Sequence, residues 1–264
     1  MWDPGTYSRF GDERSRPFHD LVARIGADAP REVVDLGCGS GALTATLAGR
    51  WPGARVAGLD ASPEMIAAAA EAAGPRVRFA VGDVTAWAPG PHTDVVVSNA
   101  VLQWVPGHAA LLTRWAGALP AGAWLAFQVP GNFAAPSHVA LREVAAGPRW
   151  AGRLGGLLRE APVDDAAGYA ALLTRAGCAV DAWETVYVHL LRAGSPEAHP
   201  VLRWMEGTAL RPVRAALGGD TADWAAFRAE LGERLAAAYP ADGPVVPFPF
   251  RRVFVVATTT GENP

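Results

Sequence analysis

Residues 33–65 read VVDLGCGSGALTATLAGRWPGARVAGLDASPEM. An apolar run closes on Gly37, Gly39 and Gly41, a run with helical spacing follows, and a second apolar run ends on Asp60. A strand, a glycine turn and a helix in that order bring bare backbone and a helix N-terminus up to a ligand. The spacing narrows which ligand. A hydride-transfer dinucleotide fingerprint reads G-x-G-x-x-G, whereas this turn is G-x-G-x-G, one residue short.

Outward from this stretch the alternation continues. Strand-like runs fall at 32–37, 55–61, 77–83, 94–100 and 124–129, separated by helix-like segments such as SPEMIAAAAEAA and GHAALLTRWAGAL. Ser62 is placed as an N-cap, with Pro63 at the first helical position and Glu64 in the first turn. Strands alternating with helices of this length indicate βαβ units and a parallel sheet covered on both faces. A helix over 166–177, an alternating run over 180–191, a helical stretch over 196–239 and a last β-rich run over 251–260 complete the chain. The segments 131–165 and 193–249 interrupt the alternation, and such insertions sit over strand ends, where open α/β sheets bind ligands.

Composition excludes several functions. The 264 residues carry a formal net charge of −3 and are half hydrophobic, as expected of a soluble globular protein. All 23 basic residues are arginine. Without lysine there is neither a Walker-type phosphate loop nor a pyridoxal Schiff base. Slight acidity argues against a nucleic-acid partner. No apolar run reaches the length of a membrane span and no signal peptide is visible, so a cytoplasmic location is expected. Cys38 and Cys178 make neither a disulfide framework nor a metal set.

Three acids are placed for an adenosine cofactor. Asp60 can accept from ribose hydroxyls, Asp35 suits a cationic amino-acid end, and Asp83, read as ending the third strand, can meet an adenine amino group. Asp60 could instead cap the next helix, and Cys38 reads as a small loop filler. With DLGCGSG at 35–41, the arrangement resembles the class I methyltransferases. The resemblance implies a Rossmann-like fold: a seven-stranded, mostly parallel sheet whose last strand inserts antiparallel between its neighbours, plus helical cap insertions. It implies one methyltransferase domain over 1–264, with its core at about 30–130, 166–192 and 250–260 and cap elements at about 1–29, 131–165 and 193–249. The implied cofactor is S-adenosyl-L-methionine, held by Asp35, Gly37, Cys38, Gly39, Gly41, Asp60, Ala61, Met65, Asp83, Val84, Asn99 and Trp104.

The acceptor is read from outside the core. Asn99 is not followed by the Pro-Pro-Tyr found in enzymes that methylate amino groups. WDPGTYSRFGDERSRPF at the start, PSHVALREV, WETVYVHL, GTALRP and FPFRR resemble the trans-aconitate methyltransferase family. Leu191 departs from it, since glutamine often stands there. The resemblance implies a small tricarboxylate acceptor held by Arg14, Arg16, His138, Arg142, Tyr187, His189 and Arg211, with no metal. Arg14 and Arg16 precede Pro17 at an expected helix start, and Arg211 precedes Pro212 at a helix break. Guanidinium groups hold carboxylates at two points, and a carboxylate is already ionised at neutral pH, so no catalytic base is expected. Arg251 and Arg252 are weighed equally as ligands or surface residues, and Trp2 and Tyr7 as a cover over the sulfonium or as core. His92, His108 and His199 read as surface residues. The alternatives are another small-acid or natural-product methyltransferase, a non-catalytic sensor of the cofactor, and an NAD-dependent dehydrogenase.

Overall fold

The valine-rich runs become the central strands, because β-branched side chains buried on both faces suit a covered parallel sheet. The computed structural model describes residues 11–193 and 198–261, with side chains from residue 15 onward. Trp2 and Tyr7 lie outside the described residues.

Along the chain the elements are α1 (Gly11–Ala23), β1 (Glu32–Leu36), α2 (Ala42–Arg50), β2 (Arg55–Asp60), α3 (Pro63–Ala69), β3 (Val77–Val81), β4 (Thr93–Asn99), α4 (His108–Ala118) and β5 (Trp124–Pro130). There follow α5 (Pro136–Ala146), α6 (Ala151–Leu154), α7 (Ala166–Arg175), β6 (Cys178–Arg192), α8 (Pro200–Glu206), α9 (Arg211–Ala216), α10 (Ala222–Ala238) and β7 (Val245–Thr259). The seven strands are ordered β3-β2-β1-β4-β5-β7-β6. β1 to β5 pair in parallel. β7 runs antiparallel to β5 and lies between β5 and β6, as expected.

The chain forms two compact units. One comprises Met1–Pro130, Val163–Thr185 and Arg252–Pro264, the other Gly131–Pro162 and Val186–Arg251. In the first, Val34, Leu36, Val96, Leu125, Phe127, Val129, Val253 and Val255 meet Leu112 and Trp115 of α4 and Tyr169 and Leu173 of α7 in one apolar cluster. In the second, Trp224, Phe227, Leu231 and Leu235 are the buried stripe of α10, at the helical spacing read from the sequence. Trp150 meets Phe227 edge-on at 5.5 Å and donates its indole N–H to Glu230.

Five local readings are corrected. β7 begins at Val245 rather than 251, because Pro247 and Pro249 hide the alternation in VVPFPF: Val246, Phe248 and Phe250 are buried and the prolines exposed. Registered pairing with β5 begins only at Arg252, so the prolines lie outside a ladder they could not donate to. β3 ends at Val81, and Asp83 stands beyond it in a turn where its Oδ1 accepts from the Thr85 amide. Pro17 lies inside α1, which is already helical from Gly11, so Arg14 and Arg16 are residues of the helix rather than a lead-in to one that starts at Pro17. His108 is buried, not superficial: Tyr169 donates its hydroxyl proton to Nε2 at 2.7 Å, and the Nδ1–H donates to Val105 O. His199 is also not a free loop residue, since it caps α8 by accepting from the Val201 amide. His92 is exposed, as expected.

Candidate active site

The glycine turn is braced from within. Leu59 O accepts from the amides of Gly37 and Cys38, Cys38 O from Gly41, and Asp60 Oδ2 from Gly39. These bonds tie the turn to the end of β2. Two of the glycines are obligatory. Gly37 has φ +81° and a Cβ there would lie 2.1 Å from Val101 Cγ2; Gly41 has φ +78° and its Cβ would meet Phe79 at 2.6 Å. A preshaped loop with glycine at every other position thus follows β1.

Asp60 ends β2 with both oxygens in use, Oδ2 toward Gly39 and Oδ1 toward the Ser62 amide at 2.9 Å. Each oxygen keeps a second lone pair for a further donor. Ser62 caps α3, as read, accepting from the Met65 amide. The bland and the functional readings of Asp60 therefore coexist: it fixes the turn and the helix entry, and it still presents an acceptor face.

Asp35 is 3% exposed and accepts a 2.6 Å hydrogen bond from the Thr44 hydroxyl. Burial pushes its carboxyl up to about 6, with Asp60 adding to the rise and Thr44 opposing it. A buried carboxyl poised in this way suits a cation as its partner. Burial, then Asp35 and Asp60, also push the Cys38 thiol up, so it stays a protonated loop filler rather than a nucleophile.

The other cofactor candidates in this unit differ in setting. Met65 and Val84 are buried and Ala61 exposed. Trp104 is 44% exposed, in a short 3-10 turn. Asp83 is exposed, its carboxyl held low mainly by the Thr85 amide. Asn99 closes β4, and its buried Oδ1 has no hydrogen-bond partner among the described residues. Directly after it Ala100 takes φ +58°, a left-handed turn that costs a non-glycine residue about 1–2 kcal/mol and ends the strand abruptly.

The acceptor candidates of the second unit form two neighbourhoods. His138, on the first turn of α5, lies 3.4 Å from Asn132 Nδ2 and 3.3 Å from Ser137 Oγ through Nδ1, and meets Phe133 edge-on. It does not cap the helix; Ala135 occupies that position. Burial and then the Arg142 charge push its imidazole down to about 4, so it is a neutral hydrogen-bonding ring at neutral pH. Arg142 donates from one terminal nitrogen to Phe133 O at 2.8 Å. Tyr187, His189 and Leu191 share the buried face of β6, where His189 stacks on Trp204 at 4.4 Å. Leu191, the departure noted above, is thus an apolar residue on an apolar face. Arg211 opens α9 ahead of Pro212. Arg16 is exposed on α1; the Arg14 side chain lies outside the described residues.

Sequence reading missed Thr44, Asn132 and Gln128. Asn132 is 3% exposed and its Oδ1 has no partner among the described residues. Gln128 alone carried a signal, a polar residue inside the apolar run WLAFQV. No metal-binding cluster and no helix long and apolar enough to cross a membrane occurs among the described residues.

Residues 33–122, which span the turn and its flanking strands, match the family described as a methyltransferase domain. The structure of Haemonchus contortus phosphoethanolamine N-methyltransferase 2 in complex with S-adenosyl-L-methionine superposes with a TM-score of 0.55 at 17% identity, covering 96% of this chain and 56% of that one, a likeness of fold. Sheet order, antiparallel β7 and the glycine turn together define a class I, S-adenosylmethionine-dependent methyltransferase. Over 267 residues the chain is 58% identical to the trans-aconitate 2-methyltransferase of Mycobacterium sp. (strain KMS), covering 98% of this chain and 100% of that protein. It is 49% identical over 269 residues to that of Mycobacterium tuberculosis (strain ATCC 25177 / H37Ra), with coverage of 99% and 98%. The chain belongs to the trans-aconitate 2-methyltransferase family.

Proposed function

We propose that this chain transfers the methyl group of S-adenosyl-L-methionine to a carboxylate oxygen of trans-aconitate, giving the monomethyl ester and S-adenosylhomocysteine. The observation that carries the reading is identity of 58% across both compact units and not only the methyltransferase core. When bound, the cofactor supplies an electrophilic methyl group on a sulfonium. The residues present fit it: a glycine-rich loop, an acceptor face on Asp60, a buried acid at Asp35, Asp83 in its turn for an adenine amino group, and the Asn99 oxygen. The acceptor needs no deprotonation, because its carboxylates are ionised above pH of about 4. The chain's task is then to hold one oxygen in line and to exclude water. Incubation with labelled cofactor and a panel of di- and tricarboxylates tests the reading: trans-aconitate is expected as the best acceptor. A chain that binds the cofactor without turnover would be the sensor. Two free buried cysteines accord with a reducing, cytoplasmic setting.

The raised Asp35 carboxyl gives a pH prediction. Its contribution to folding is fully present below pH of about 4 and is lost as pH rises through about 6, since the folded state favours the proton. A cation beside the ionised carboxylate reverses that dependence. Cofactor affinity is therefore expected to rise between pH of about 5 and 7, whereas turnover with both substrates saturating shows no limb near the ordinary histidine value of about 6.5. Calorimetry across pH checks it, with Asp35→Asn expected to abolish the limb. A flat affinity profile in the parent enzyme would separate Asp35 from the cofactor.

The arginines are tested by charge-conserving change. Arg14→Lys, Arg142→Lys and Arg211→Lys are each expected to lower kcat/KM for the acceptor about tenfold to hundredfold, because a point charge loses the planar two-point grip. Cofactor KM should hold. Steady-state kinetics with both substrates varied is the measurement, and unchanged acceptor kinetics in all three variants would return these arginines to the surface.

A further inference from the structure

β4, β5 and β7 bring polar side chains to one face of the sheet at the carboxyl ends of the parallel strands. Asn99 is registered with Gln128, and Arg252 with Pro130. Side chains alternate along a strand, so Asn99 and Gln128 share a face, and Arg252, opposite a position two residues on from Gln128, joins them there. The Arg252 guanidinium donates to Gln128 Oε1 at 3.0 Å. Both residues are deeply buried, Gln128 at 0% and Arg252 at 5% exposure.

This pairing fixes the amide. A guanidinium only donates, so Gln128 must turn its oxygen toward Arg252 and its nitrogen away. Gln128 Nε2 then has no hydrogen-bond partner among the described residues. A buried donor left unmet is destabilising and rare. It stands at the end of a central strand, where open α/β sheets take their ligands. Donation from a cation into Oε1 also polarises the amide, making its N–H a better donor to an anion. Asn99 Oδ1 on the neighbouring strand only accepts, so it repels a carboxylate and suits a donor of the cofactor.

We propose that Gln128 Nε2 donates to one carboxylate of the methyl acceptor, and that Arg252 is the positioning residue that holds the amide in place. The inference rests on the acceptor being a polycarboxylate. It makes Gln128 a determinant of which acid is accepted, in the same compact unit as the glycine turn.

The test pairs protein variants with trimmed acceptors. Gln128→Glu keeps the shape and the Arg252 partner but presents an oxygen where a donor is needed; Gln128→Met removes the amide. Each is expected to raise KM for trans-aconitate about tenfold to hundredfold, with cofactor affinity by calorimetry unchanged. Arg252→Met should raise KM in the parent background and add nothing in the Gln128→Met background, the coupling expected of one unit. Among the three dicarboxylates that lack one carboxylate each, one should show no penalty from Gln128→Met, identifying the group held. An unchanged KM in Gln128→Glu would mean that water meets the amide, and an equal penalty on every acceptor would mean a structural role; either overturns the proposal. Failure of the parent enzyme to methylate any polycarboxylate overturns the acceptor reading and this contact together, and the parent measurements alone tell that case apart.

Discussion

Gly37→Ala is expected to abolish measurable cofactor binding. The methyl group would sit 2.1 Å from Val101 Cγ2 on a backbone with φ +81°. Left-handed backbone costs an alanine about 1–2 kcal/mol and overpacking a further 1–3 kcal/mol. The loop is tied by its amides to Leu59 and Asp60, so it relieves the clash only by breaking those bonds. The outcome is a turn displaced from β2, with the acceptor face of Asp60 moved as well. Calorimetry with S-adenosylhomocysteine and a thermal scan measure both effects. Val101→Ala in the same chain removes the offending methyls and should restore part of the binding. Normal affinity in Gly37→Ala would show that the loop can shift freely, and that its observed conformation does not define the site.

The second large effect is expected from Asp60→Ala, with cofactor affinity falling about hundredfold. Loss of a hydrogen bond to a charged group costs about 1.5–3 kcal/mol. The carboxylate also holds the Gly39 and Ser62 amides, so the ligand-free protein should melt a few degrees lower instead of being unaffected. The two roles separate by linkage. A saturating ligand raises the melting temperature in proportion to its affinity, and in Asp60→Ala this cofactor-induced rise should vanish. A lowered melting temperature with the full cofactor-induced rise retained would leave Asp60 as a brace of the turn and nothing more.

These two residues show how much of the site was legible in the sequence. Gly37 and Asp60 are separated by one helix and one strand, and their roles follow from local order: strand, turn, helix, strand end. The same holds for Ser62, whose cap is made within three residues, and for the buried stripe of α10, which is a matter of period. Asp83 shows the limit of local reading. Its type was recognised, but the strand stops at Val81 and the Asp83 carboxylate accepts from the Thr85 amide in the turn beyond it.

By itself, then, the sequence determined the alternating βαβ architecture, the glycine turn, the acids carried on β1 and β2, and the family. Each is written in spacing, which survives without knowledge of what lies across the sheet. Only the tertiary structure decided that Asp35 is buried against Thr44, that His108 belongs to the core with Tyr169, and that prolines sit within β7. It alone paired Arg252 with Gln128, 124 residues away in the chain. Burial and hydrogen-bond partnership are properties of neighbours brought together by folding. They set the charge state of a carboxyl and the direction of an amide, and no periodicity in the chain encodes them.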